Sequence, residues 1–158
     1  MQKRIIDETR QDAPLRTEPD WLMVEELAEA ELSSEDPGHP IEAALLAGRG
    51  SGWRASSPGP QTIRLRFKHP QHLRRVALAF CETSMPRTQT YLLRWSADGG
   101  RSFRDIVRQQ WTFSPPGTTL ETEDHEVDLP SVTVLELRIV PDISGGNALA
   151  SLARLRLA

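Results

Sequence analysis

Cysteine is nearly absent from this 158-residue chain. Cys81 stands alone, which excludes an internal disulfide framework and is compatible with a reducing compartment. Lysine is almost as scarce: Lys3 and Lys68 are the only two among 19 cations, and arginine supplies the rest. A guanidinium favours planar, paired contacts over diffuse attraction to phosphate. No apolar run approaches the length that spans a bilayer, and the opening "MQKRIIDETRQDAP" lacks the apolar core of a signal peptide. The expectation is a cytoplasmic location without a membrane partner.

Signatures of catalysis are missing as well. There is no GxSxG, no GxGxxG and no P-loop, because "GRGSG" (Gly48 to Gly52) lacks the Lys-Ser/Thr ending that holds phosphate. His39, His69, His72 and His125 have no metal-ligand spacing. Cys81 has no Cys-His motif beside it and reads as a quiet thiol. "ETEDHEVD" gathers Glu123, Asp124, His125 and Glu126, which invites acid–base chemistry. Neighbours in a strand point to opposite faces, however, so the run reads as a solvated strand. The sequence predicts no enzyme, no cofactor and no metal site.

Charge is present in blocks. Asp7 to Asp36 holds eleven acidic residues and two arginines, whereas Arg49 to Arg108 holds twelve basic residues against Glu82, Asp98 and Asp105. Such blocks can mark a nucleic-acid face. Many of these arginines alternate with apolar residues, so the favoured reading sets Arg opposite Glu across a sheet. An overall pI of about 5.8 also argues against nucleic acid.

The period of the apolar residues is two. Ile63, Leu65 and Phe67 alternate with polar neighbours, and so do Val76, Leu78 and Phe80, then Tyr91, Leu93 and Trp95. Leu135, Leu137 and Ile139 repeat it, and Ala153, Leu155 and Leu157 close the chain. "KHPQH" reads as a connector, and Asp98-Gly99 as a hairpin turn. Around Leu22 to Glu29 a helical turn is expected, with a strand over Ala28 to Ser33. Pro40 and "IEAALL" give a second helical turn. Many short strands and little helix predict an all-β antiparallel sandwich.

The order of "SSEDPGHPIEAALL", "GWRASSPGPQTIRLRF", "YLLRWSADGGRSF" and "VTVLELRIVPDISGGNALASLARLRL" resembles the discoidin, or coagulation factor 5/8 type C, superfamily of galactose-binding-like domains. The resemblance covers Ala28 to Ala158. It implies a jelly-roll sandwich over 21–158, with residues 1–20 as a weakly ordered lead-in. "SSEDPGHPIEAALL…WRA" is also similar to the opening of the amino-terminal domain of the eukaryotic single-strand-break repair scaffold. Calcium-binding relatives use acidic residues where Arg49 stands here, so no calcium site is expected.

The resemblance further implies a non-catalytic module that binds carbohydrate through loops at one end of the sandwich. The alternative is an intracellular module for a protein or nucleic-acid partner. A sugar offers an apolar face and many hydroxyls, so its site pairs an aromatic platform with polar side chains. The candidates are Arg49, Trp53, Arg54, Arg87, Trp111 and Phe113, with Met85 and Asn147 beside them. Whether Trp53, Trp111 and Phe113 belong to a site or to the core is left open by the sequence.

Overall fold

The computed structural model describes residues 20–46 and 52–158. The lead-in before Asp20 and the candidate Arg49 lie outside the described residues. Two short helices, α1 (Val24–Leu27) and α2 (Glu42–Leu45), accompany strands β1 (Ala28–Leu32), β2 (Trp53–Arg54), β3 (Gln61–Cys81) and β4 (Arg87–Ser96). The chain continues through β5 (Arg104–Phe113), β6 (Leu120–Val140), β7 (Ser151–Leu152) and β8 (Arg154–Leu157). Strand order is β1-β3-β6-β4-β5, with β8 added to β3 and β2 paired with β7. Every pairing is antiparallel.

"KHPQH" does not separate two strands. It lies inside β3, which runs 21 residues beside an equally long β6. Pro70 has no N–H to give to a ladder, and the register shifts between Arg66 and Gln71, then again up to Arg75. The ribbon therefore bends instead of ending. Its far half folds back over β4: the Phe80 and Tyr91 rings meet with centroids 5.1 Å apart, and Glu82, just beyond β3, pairs with Arg87 at 2.7 Å. One layer holds β1, the first half of β3, the second half of β6, β4 and β5. The other holds β8, the second half of β3 and the first half of β6.

Between the layers lie Ile63, Leu65, Leu78, Phe80, Leu93, Leu137, Ile139, Leu155 and Leu157, all buried. Each such side chain contributes roughly 1.5–3 kcal/mol relative to exposure. Arg-opposite-acid pairing is realised on the outer faces. Arg64 and Arg94 both stand directly across from Glu136, each Nε donating to it at 2.6 Å. The Asp98-Gly99 turn is not a two-residue hairpin, since residues 97–103 separate β4 from β5. Asp98 organises that loop by accepting from the Ser102 N–H and hydroxyl at 2.9 and 2.5 Å.

The segment from Ser33 to Trp53 locks the start of the domain. The hydroxyls of Ser33 and Ser34 donate to Gln61 Oε1 at 2.8 and 2.7 Å, and Trp53 Nε1 donates to the Ser34 carbonyl at 3.2 Å. Trp53 is 0 % exposed. It presents no surface to a ligand, which corrects its candidacy. Gly52 precedes it with φ +81°, and a Cβ there would meet the Leu152 carbonyl oxygen at 2.3 Å, so only glycine fits.

Candidate functional site: a polar slot at the flank of the sandwich

β5 is an edge of the first layer, and the turn 114–119 carries the chain directly into β6, the edge of the second. The two edges therefore flank the same side of the sandwich. On β4, Arg87, Gln89 and Tyr91 face inward, and their partners across the pair are Phe113, Trp111 and Gln109 on β5. On β6, Glu121, Glu123 and His125 lie opposite Phe80, Leu78 and Val76. Those three β3 residues are core, so Glu121, Glu123 and His125 share the inward face. "ETEDHEVD" is thus not a simple solvated strand. Alternate members face the gap between the layers.

Tyr91 crosses that gap. Its hydroxyl donates to Glu123 Oε2 at 2.6 Å. His125 Nε2 lies 3.2 Å from the phenol oxygen and 3.0 Å from Glu123 Oε2. Burial, reinforced by the hydrogen bond and charge of Glu123, pushes the Tyr91 phenol far above its ordinary range, so it stays protonated. Glu121 is 4 % exposed, and no donor reaches either of its oxygens. Two neighbouring carboxylates have no hydrogen to share until one is protonated. Burial first, and Glu123 second, push the Glu121 carboxyl up to about 8. It carries a proton at neutral pH.

On β4, two inward-facing side chains carry unmatched donors. Gln89 Nε2 and Arg87 Nη2 are buried without a partner. The remaining groups of Arg87 are fully engaged: Nε bonds Glu82 at 2.7 Å, and Nη1 bonds Gln89 Oε1 at 3.0 Å and the Pro141 carbonyl at 2.6 Å. The guanidinium also lies 4.9 Å over the Phe113 ring. Burial works to raise Glu82, but the Arg87 and Ser84 hydrogen bonds outweigh it and hold the carboxyl low.

Of the sequence candidates, Trp111 is 36 % exposed and is the only aromatic among the large exposed hydrophobics of the described residues. Phe113 is 0 % exposed and Arg87 is 4 % exposed. Both were expected at a loop surface, and both are instead struts beneath the slot, because β4–β5 pairing turns their side chains inward. Arg54 is exposed but sits beside the loop after β1, where its N–H meets the His39 carbonyl. Four strand spacings separate β1 from β5, roughly 19 Å, so Arg54 and Trp111 belong to different places. Met85 and Asn147 are exposed in the β3–β4 and β6–β7 loops. Gln89, Gln109 and Glu121 were missed, and Glu123 and His125 were noticed in "ETEDHEVD" but set aside as part of a solvated strand. Among the described residues no three His, Cys, Asp or Glu side chains converge to hold a metal ion.

The sequence model of the F5/8 type C domain matches residues 29–155. Among solved structures, a family 32 carbohydrate-binding module from Clostridium perfringens in complex with galactose superposes with a TM-score of 0.62 at 16 % identity, covering 87 % of this chain and 96 % of its own. A second Clostridium perfringens module, solved with GalNAc-β-1,3-galactose, gives 0.62 at 20 % identity, covering 87 % and 98 %. Reduced XRCC1 bound to the DNA polymerase β catalytic domain gives 0.59 at 12 % identity, covering 81 % and 92 %. No curated protein matches the sequence.

Proposed function

We propose, from the premise that this chain belongs to the F5/8 type C domain family, that it is a non-catalytic carbohydrate-binding module whose sugar lies against Trp111 at the mouth of the flank slot. The observation that carries this reading is the exposed Trp111 indole on the inward-facing row of the β4–β5 pair, where it stands opposite Gln89. An indole face covers the C–H face of a pyranose. Gln89 Nε2, Arg87 Nη2 and both Glu121 oxygens lack partners but are buried, so the polar contacts to the sugar fall to the rim. Glu123 and His125, only half-buried, are the reachable hydrogen-bonders at the rim. The neighbours solved with galactose and with GalNAc-β-1,3-galactose support sugar as the ligand class.

The slot is not arranged for hydrolysis. Glu121 and Glu123 are alternate residues of one strand, so both carboxyls approach from the same side of any bound ring. Glycosidases need carboxyls flanking the scissile bond. The experiment is a glycan array followed by calorimetry on the wild type and Trp111→Ala. Binding of a defined glycan that disappears in the variant, with no hydrolysis product, is the expected result. A glycan bound equally by Trp111→Ala removes the slot from the account.

A second reading, docking of a protein partner, draws on β5, a ten-residue strand at the edge of the sheet order. XRCC1 shares the fold and was solved bound to a polymerase domain. Pull-down with the wild type, and its loss on placing proline at Gln110, tests that alternative.

A further inference from the structure

The outer face of the first layer carries a second concavity that the flank slot does not use. It encloses about 420 Å³ between Thr62, Thr90, Leu92, Val140, Arg108 and Arg138. Arg108 of β5, Leu92 of β4 and Arg138 of β6 are direct neighbours in one row across three strands. Two strand spacings, roughly 10 Å, separate the arginine backbones, which lets both guanidiniums lean toward one group above Leu92.

Charge on this face is unbalanced toward the positive. Glu136 is fully buried and serves three guanidiniums: Arg64 and Arg94 at 2.6 Å, and Arg138 at 3.0 Å through Nε. Burial alone would raise Glu136, yet the Arg94 and Arg64 bonds hold its carboxyl low. The Nε contact fixes the plane of Arg138 while its side chain remains half exposed. Among the described residues Arg138 pairs with no carboxylate other than Glu136, and Arg108 forms no ion pair.

We propose that this groove is a second carbohydrate subsite, specific for an acidic sugar, in which Arg108 and Arg138 clamp a uronate carboxylate while the ring's apolar face rests on Leu92 and Val140. The inference rests on the sugar-binding reading above and adds a ligand class and a place. Planar forks suit a carboxylate. The apolar floor distinguishes a sugar ring from a bare anion, which would gain nothing from Leu92 and Val140. Thr62 and Thr90 supply hydroxyls at the groove wall for the ring's own. A nucleic-acid track needs an unbroken run of cations, and here Glu31 takes up Arg66 at 2.5 Å beside the groove.

The test is NMR titration of the full chain with trigalacturonate, its methyl ester, and a single-stranded DNA oligomer, on the wild type, Arg108→Gln and Arg138→Gln. Trigalacturonate should shift the Arg108 and Arg138 side-chain Nε–Hε signals and the Leu92 and Val140 amides. Each substitution should weaken it about tenfold or more, the loss of a charge-assisted bond, and leave neutral-glycan binding unchanged. The ester should bind at least about tenfold more weakly, for the same reason. Equal binding of acid and ester, undiminished binding by both variants, or tighter, steeply salt-dependent binding of the DNA oligomer would each overturn the proposal. If trigalacturonate fails to bind while a neutral glycan still binds through Trp111, the groove alone is wrong. If neither binds, the sugar reading falls with it.

Discussion

At the scale of single residues, three aromatics that look alike in the sequence have different fates. Trp53 and Phe113 are enclosed, whereas Trp111 opens to solvent. Trp53→Ala should cost about 3–5 kcal/mol by cavity formation, seen as a large drop in melting temperature. Trp111→Ala should change stability by less than about 1 kcal/mol while abolishing glycan binding. Arg87→Ala should also destabilise, by about 3–5 kcal/mol, because it strands the Glu82 carboxylate and the Pro141 carbonyl. Denaturant melts of the three variants order them; an Arg87→Ala as stable as Trp111→Ala contradicts the strut assignment. Gly52→Ala belongs with the severe cases, since the new Cβ would collide with backbone at Leu152 and Ala153.

At the scale of elements, the strands were legible where one face is apolar. Ile63, Leu65 and Phe67, or Leu135, Leu137 and Ile139, announce both their period and their buried side. The first half of β6 announces only a period. Glu121, Glu123 and His125 on one face and Thr122, Asp124 and Glu126 on the other are equally polar, so no hydrophobic pattern says which set turns inward. The decision comes from the partner, because Phe80, Leu78 and Val76 of β3 fix the register. Arg87 and Gln89 carried a usable signal, standing four and two residues before Tyr91 on its own face. The continuity of β3 through Pro70 was hidden by a residue that ordinarily ends a central strand.

Inward placement of Glu121 has a pH consequence. Its carboxyl rises from 4.5 to about 8 on folding, so the native state binds a proton that the unfolded chain has released anywhere between those values. Its contribution to stability is complete below about pH 4.5 and declines as pH rises to about 8. Glu82 and Glu136, both held low, act in the opposite sense and lose their contribution in acid. Glu121→Gln should therefore flatten the fall in melting temperature between pH 5 and 8. Parallel slopes for wild type and variant would show that Glu121 does not take up the proton.

At the scale of the whole molecule, one bent ribbon, β3 with β6, makes both layers and brings the sandwich to an open flank between β5 and β6. Loop ends remain exposed at Met85 and Asn147, but the flank carries an accessible indole, Trp111, on one edge and the half-buried Glu123 and His125 on the other, and the central claim rests there. The most direct measurement is an NMR titration of the full chain with GalNAc-β-1,3-galactose, following the Trp111 indole N–H and the amides of Gln89, Gln109, Glu121, Glu123 and His125. The account predicts saturable shifts confined to these signals. Shifts clustered instead at Arg54, Met85 and Asn147 would place the sugar at the loop end and contradict it.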